Sequence, residues 1–163
     1  MMSVAYEPEE LGFLLVTNDP VLKGMQKTDA YTLVMKRLEK RMWPLYEKTR
    51  LRERITTGVR VAFYVAGKRE HTGTIVATAT VSGRVSPSHG GIRTDPPEYL
   101  TDRPEILLEL ENISILAPPV PLREFIPRLS FCPKDLKNWG SALQGGVRRL
   151  TDRDWTTLFP STS

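Results

Sequence analysis

The stretch VRVAFYVAGKREHTGTIVATATV, from Val59 to Val81, decides the fold class of this chain. Two runs rich in β-branched and aromatic residues flank a polar turn that contains glycine, which predicts a β-hairpin. Phe63 and Tyr64 are neighbours in the first run, so their rings must point to opposite faces of the sheet. One ring can belong to the core, and the other faces either a second small core or a ligand.

Short strands and few helices surround this hairpin in the sequence. LGFLLVTN (11–18) predicts a buried central strand, and EILLELENISIL (105–116) predicts another strand. Residues 28–29 predict the start of a helix that Pro44 ends or kinks, and Thr151 is a good N-cap for a short last helix. These elements, joined by hairpins and loops, predict an α+β protein built on a small, mainly antiparallel barrel.

Length and composition are those of one globular domain. The chain has 163 residues, of which 40% are hydrophobic and 26% charged, so we expect a single domain over 1–163 with a core of roughly 11–159. Residues 83–104 are rich in proline and glycine and show no apolar period, which predicts a long flexible loop.

The bulk charge and the ends of the chain restrict the class of protein. A net charge of +4 is compatible with nucleic acid as a partner. The single cysteine, Cys132, excludes an internal disulfide framework. We see no signal peptide and no apolar stretch that approaches the roughly 18 residues of a membrane span. We therefore expect a soluble, cytoplasmic protein.

Signals of catalysis are weak. His71 and His89 lack metal-ligand neighbours at helical spacing, and no phosphate-binding or dinucleotide-binding glycine motif is present. Cys132 with His89 could form a nucleophile and base, although SFCP favours a buried structural thiol. The sequence predicts a protein that is not an enzyme and uses no metal or cofactor, with a hydrolase built on Cys132 as an alternative.

Three stretches in order resemble the EVE domain, a member of the PUA-like group that includes YTH, ASCH and SRA modules. They are LGFLLVTND (11–19), a tryptophan (Trp43) ahead of GVRVAFYVAGK (58–68), and LSFCPKDLKNWGSALQGGVRRLTDRDW (129–155). The resemblance implies a distorted barrel of five or six strands with helices packed around it. It also implies an aromatic cage that accepts one flipped base, such as 5-methylcytosine.

The resemblance further implies which residues contact the nucleic acid. Trp43, with Tyr46 as the alternative ring, would form one wall of the cage, and Tyr64 would face it. The full predicted base-binding set is Thr17, Asn18, Trp43, Tyr64, Trp139, Gly140 and Ser141. Seven cations are candidates for contacts to the phosphate backbone: Lys68, Arg69, Arg84, Arg93, Lys137, Arg148 and Arg149.

These observations predict a reader of methylated or hydroxymethylated DNA. By resemblance it would be the specificity module of a modification-dependent restriction or defence system, with a nuclease or NTPase effector as partner. Two alternatives remain open: an RNA-binding module that recognises a modified nucleotide, and a domain that binds a small molecule.

Overall fold

The computed structural model describes residues 12–17, 29–45, 52–66, 71–85, 106–130 and 146–160. These residues form six strands and two α-helices, with three short 3₁₀ turns at Arg52–Arg54, Leu122–Glu124 and Ile126–Arg128. The strands are β1 (Gly12–Thr17), β2 (Met42–Leu45), β3 (Arg60–Val65), β4 (Thr74–Val85), β5 (Ile106–Pro121) and β6 (Val147–Leu150). The helices are α1 (Ala30–Glu39) and α2 (Asp152–Leu158).

The described strands form one curled sheet in the order β2-β5-β4-β3-β1-β6. Four of the neighbouring pairs are antiparallel, and β1 pairs in parallel with β3. The predicted hairpin is the β3–β4 pair, and the predicted central strand is β1, which lies between β3 and β6. The predicted α+β fold on a mainly antiparallel barrel is therefore confirmed, and the sheet closes as far as a half-barrel.

Apolar side chains cover both faces of this sheet, because successive residues of a strand point to opposite faces and both faces carry a cluster. Along β3, Val61, Phe63 and Val65 belong to one cluster, and Ala62 and Tyr64 to the other. The interior cluster draws residues from all six described strands and α1, among them Phe13, Leu15, Val34, Trp43, Phe63, Leu108 and Val147. The outer cluster comprises Leu14, Ala62, Tyr64, Ile75, Leu122, Ile126, Leu129, Leu150 and Leu158.

Side-chain caps fix both helices where the sequence predicts their starts. Asp29 accepts a hydrogen bond from the backbone N–H of Thr32 at 2.9 Å and begins α1. Thr151 and Asp154 form a reciprocal capping box at the start of α2. The buried Asp154 carboxylate also accepts bonds from the N–H and hydroxyl of Ser130, at 2.8 and 2.6 Å. This carboxylate therefore ties α2 to the 3₁₀ turns that cover the outer cluster.

Prolines and glycines mislead the sequence prediction in two places. Helix α1 already ends at Glu39, and Pro44 lies in β2 opposite Leu107. It is tolerated there because β2 stands at the end of the strand order, where a missing N–H interrupts no second ladder. Residues 83–85, predicted as part of a loop, are the last residues of β4.

Candidate nucleic-acid interface

One end of the sheet, which we call the rim, joins segments that are distant in sequence. It comprises Thr17, Ala66, the turn 71–73 and Gly146. The backbone N–H of Ala66 donates to the Thr17 carbonyl at 2.8 Å, and that of Gly73 donates to Val65 at 2.7 Å. Across β1, the N–H of Val16 donates to the Gly146 carbonyl at 2.9 Å.

Most of the predicted base-binding residues belong to chain segments that continue from this rim. Asn18 follows Thr17, residues 67–70 follow Ala66, and residues 131–145 precede Gly146. Asn18, Trp139, Gly140 and Ser141 lie outside the described residues, as do the predicted cations Lys68, Arg69, Arg93 and Lys137 and the catalytic alternatives His89 and Cys132.

Thr17 places a buried hydroxyl at this rim. Its side chain is 5% exposed on the interior face of β1, and its Oγ1 has no hydrogen-bond partner in the described part of the chain. A buried hydroxyl without a partner loses about 1–3 kcal/mol of hydration that nothing replaces. Such a group requires an explanation, and a bound ligand is one.

Trp43, the predicted wall of a cage, lies in the interior cluster and is 4% exposed. Its ring centroid is 4.5 Å from that of Phe63, and the Arg37 guanidinium carbon lies 4.9 Å from the ring centroid. Two neighbours thus pack on this ring. These contacts are those of a core side chain.

Tyr64 lies in the outer cluster and is also 4% exposed. Burial raises the pKa of its phenol to about 12. The second aromatic of the hairpin therefore fills a second core, because the 3₁₀ turns and α2 cover the outer face of the sheet. Trp43 and Tyr64 occupy different clusters, and the structure does not bring these two predicted residues together in one cage.

The described cations of the predicted phosphate path have separate surroundings. Arg84 is half-buried and donates to the Ile55 carbonyl at 2.7 Å, which fixes the segment that leads into β3. Arg148 and Arg149 are consecutive in β6, so their side chains point to opposite faces, and only Arg149 is fully exposed.

The structure adds an aromatic pair that the sequence prediction missed. The rings of Tyr31, in the first turn of α1, and His71, in the rim turn, have centroids 4.3 Å apart at 50°. His71 has a positive φ of 60°, and the Thr74 hydroxyl donates to its carbonyl at 2.6 Å. Forty residues separate the two rings in the sequence, and no local pattern relates them.

The opposite end of β1 is tightly packed. The Arg60 guanidinium carbon lies 4.6 Å from the centroid of the Trp155 ring, and its Nη2 is 2.8 Å from Asp152 Oδ1. A Cβ on Gly12 would stand only 2.9 Å from Trp155 Cε3. This end is built for packing.

The described residues show neither a metal-binding cluster nor a membrane-spanning helix. No group of three or more histidine, cysteine, aspartate or glutamate residues among them could hold a metal ion. Neither described helix is long and apolar enough to cross a membrane.

Comparison with known proteins supports the fold. No protein-family model matches the sequence, and no curated protein does. Human THYN1, solved in complex with DNA that contains 5-methylcytosine, matches with a TM-score of 0.50 at 14% identity, over 89% of this chain and 93% of that chain. The N-terminal domain of Staphylothermus marinus McrB matches with a TM-score of 0.46 at 12% identity, over 90% and 92%. The architecture expected from the resemblance is confirmed, and this chain shares the fold of human THYN1.

Proposed function

We propose that this chain is a non-catalytic reader of a modified base in DNA, and that it holds the flipped base at the rim. The observation that carries the proposal is the Thr17 hydroxyl at the rim, which is buried and has no hydrogen-bond partner among the described residues. The fold adds support, since human THYN1, which shares it, is solved with DNA that contains 5-methylcytosine.

A flipped base is a suitable partner for this hydroxyl. Base-flipping proteins recognise the extruded base by hydrogen bonds to its polar edge and by contacts to its flat faces. A threonine hydroxyl both donates and accepts, so it can meet an exocyclic amine or a carbonyl. A base bound at the rim would supply the partner that Thr17 lacks among the described residues.

The proposal revises the predicted cage. The half-buried Tyr31–His71 pair supplies aromatic surface at the rim, whereas Trp43 and Tyr64 pack in the two cores. A base stacked on an aromatic side chain gains about 1–3 kcal/mol. We retain Asn18, Trp139, Gly140 and Ser141 as proposed base contacts, because their segments continue from the rim.

The proposal extends to the system that the reader serves. We propose that it is the specificity module of a modification-dependent restriction or defence system, in which a separate nuclease or NTPase effector acts on the bound DNA. In that case the isolated chain with Mg²⁺ leaves a modified duplex uncut, and cleavage by the purified chain would contradict this part.

The experiment is a binding series on duplexes of one sequence that carry cytosine, 5-methylcytosine, 5-hydroxymethylcytosine or N6-methyladenine. We expect one modified duplex to bind at least tenfold more tightly, about 1.4 kcal/mol, and Thr17→Val to reduce that preference. Thr80→Val is the matched control and should keep the preference, because Thr80 is a half-buried threonine of β4 that lies opposite Arg60, away from the rim.

The alternatives give different results in the same series. Equal binding of all duplexes, with tighter binding of an RNA of the same sequence, would replace the DNA reader by an RNA-binding module. Affinity for nucleic acid that is absent or independent of salt would favour a small-molecule ligand, since phosphate contacts make binding weaken as salt rises.

A further inference from the structure

A cavity lies between the 3₁₀ turn Ile126–Arg128 and α2, at the opposite end of β1 from the rim. Its volume is about 460 Å³, and its polar lining comprises Arg128, Ser130, Thr151, Arg153, Asp154 and Thr157. We propose that this cavity binds phosphate groups of the nucleic-acid backbone, with the guanidinium groups of Arg128 and Arg153 as the ligands. The inference rests on the proposed function for the source of the phosphate.

The floor of the cavity is rigid. Asp154 is 1% exposed, and its carboxylate accepts bonds from Ser130 N–H at 2.8 Å, Ser130 Oγ at 2.6 Å and Thr151 N–H at 3.1 Å. Three donors therefore hold its negative charge inside the protein. These hydrogen bonds hold the floor of the cavity in one place, which reduces the entropy lost on binding.

The two arginines supply the charge that a phosphate needs. Both are exposed, and no carboxylate of the described residues forms an ion pair with either one. The Arg128 guanidinium carbon lies 4.9 Å from the centroid of the Phe125 ring, which orients that side chain. Guanidinium groups match the geometry of phosphate oxygens because they donate two parallel hydrogen bonds.

The position of the cavity suits DNA that is bound at the rim. Thr151 follows Leu150, which pairs with Gly12 at the opposite end of β1 from Thr17. Five residue steps of a strand span about 17 Å. A duplex rises about 3.4 Å per base pair, so a duplex that runs along β1 from the rim would bring a phosphate to the cavity about five base pairs from the flipped base. Contacts at this distance position a duplex without reading its sequence.

The test is the salt dependence of binding to a 20-base-pair duplex, unmodified or with one 5-methylcytosine. Each phosphate contact contributes about 0.9 to the slope of log affinity against log salt. We expect Arg128→Gln and Arg153→Gln each to lower that slope by about 0.9 and to leave the preference for the modified duplex unchanged. Arg123→Gln, an exposed arginine that does not line the cavity, should keep the wild-type slope.

A wild-type slope in the double variant would overturn the cavity proposal. The same data separate it from the reader proposal, because a lowered slope with no preference for modified DNA in the wild type refutes only the reader. Should Arg128→Gln unfold for want of its Phe125 contact, Arg153→Gln alone carries the test, since Arg153 makes no such contact among the described residues. A wild-type slope in that variant likewise refutes the proposal.

Discussion

Replacing Thr17 by valine removes a hydroxyl while it keeps the branched shape of the side chain. The residue is 5% exposed on the interior face of β1, and its Oγ1 has no partner in the described part of the chain. Valine therefore fills the same space and leaves no polar atom without a hydrogen bond. We expect the folded protein to become more stable.

The size of the gain follows from the cost of the buried hydroxyl. Mutational data put a buried group that lacks its hydrogen bond at about 1–3 kcal/mol. Valine has a smaller desolvation penalty in the same site, so we expect the free energy of unfolding to rise by about 1 kcal/mol. In a domain of this length that corresponds to an increase in melting temperature of about 2–4 °C.

Thr74→Val, next to the rim turn 71–73, should have the opposite effect on stability. Its hydroxyl donates to the His71 carbonyl at 2.6 Å, so valine leaves that carbonyl without this donor. We expect the free energy of unfolding to fall by about 1 kcal/mol. Equilibrium unfolding in urea measures both variants against the wild type under the two-state assumption.

The two signs together test the reasoning. If Thr17→Val is destabilised as much as Thr74→Val, then the Thr17 hydroxyl is hydrogen-bonded within the protein and needs no ligand as its partner. If Thr17→Val is more stable and also binds modified DNA less tightly, the hydroxyl is retained for binding at the expense of stability.

Three other changes test the packing described above. Trp43→Leu should lower the free energy of unfolding, measured in urea, by about 2–4 kcal/mol. A folded variant should keep the preference for modified DNA. Loss of that preference without loss of stability would show that Trp43 contacts the base. Burial raises the pKa of Tyr64 to about 12 from 10.0. The stability that the neutral phenol contributes is therefore complete below pH 10 and is lost as pH rises toward 12, on the order of 2 kcal/mol. A Tyr64→Phe variant whose stability declines as steeply over this range would contradict the assignment. Gly12→Ala should reduce the melting temperature, at a cost of about 1–3 kcal/mol, because the new Cβ would stand 2.9 Å from Trp155 Cε3, and a wild-type melting temperature would show that the ring moves aside freely.

Much of the sheet can be predicted from the sequence because strand alternation and helix caps are local signals. The adjacent Phe63 and Tyr64 require opposite faces, and the structure places them in two clusters. The sequence does not show what covers each face. A second core on the outer face depends on 3₁₀ turns and a helix that lie 58 to 94 positions after Tyr64, so this ring looks available for a ligand until the whole fold is known.

Proline signals fail where tertiary context removes their usual cost. The strand predicted over 105–116 stops before the prolines of APPVP (117–121), yet β5 runs through this segment to Pro121. Its pairing with β4 shifts register between Ile75 and Ala77, opposite Val120 and Ile115, and Pro118 and Pro119 fall within that irregularity. A bulge leaves residues outside the ladder, so the missing N–H groups interrupt no regular pairing. The sequence alone does not locate the bulge.

The candidate site is harder to predict than the strands because its parts meet only at the rim. Thr17 and His71 are 54 positions apart, and Tyr31 reaches His71 only through the packing of α1. The family motif points to Thr17 but gives no reason for it, whereas the structure supplies one in the unpartnered hydroxyl. No sequence signal pairs Tyr31 with His71.

The two ends of β1 differ in how their side chains are packed. We therefore expect substitutions at one end to change stability and substitutions at the other end to change binding. At the end that carries Gly12, the Trp155 ring packs closely on the backbone and Arg60 forms an ion pair with Asp152. At the rim, the Thr17 hydroxyl lacks a partner among the described residues and His71 adopts a positive φ. Local rules are broken mainly where a protein gains function in exchange. Substitutions near Gly12 should therefore lower stability without changing base preference, and substitutions at Thr17 should do the reverse.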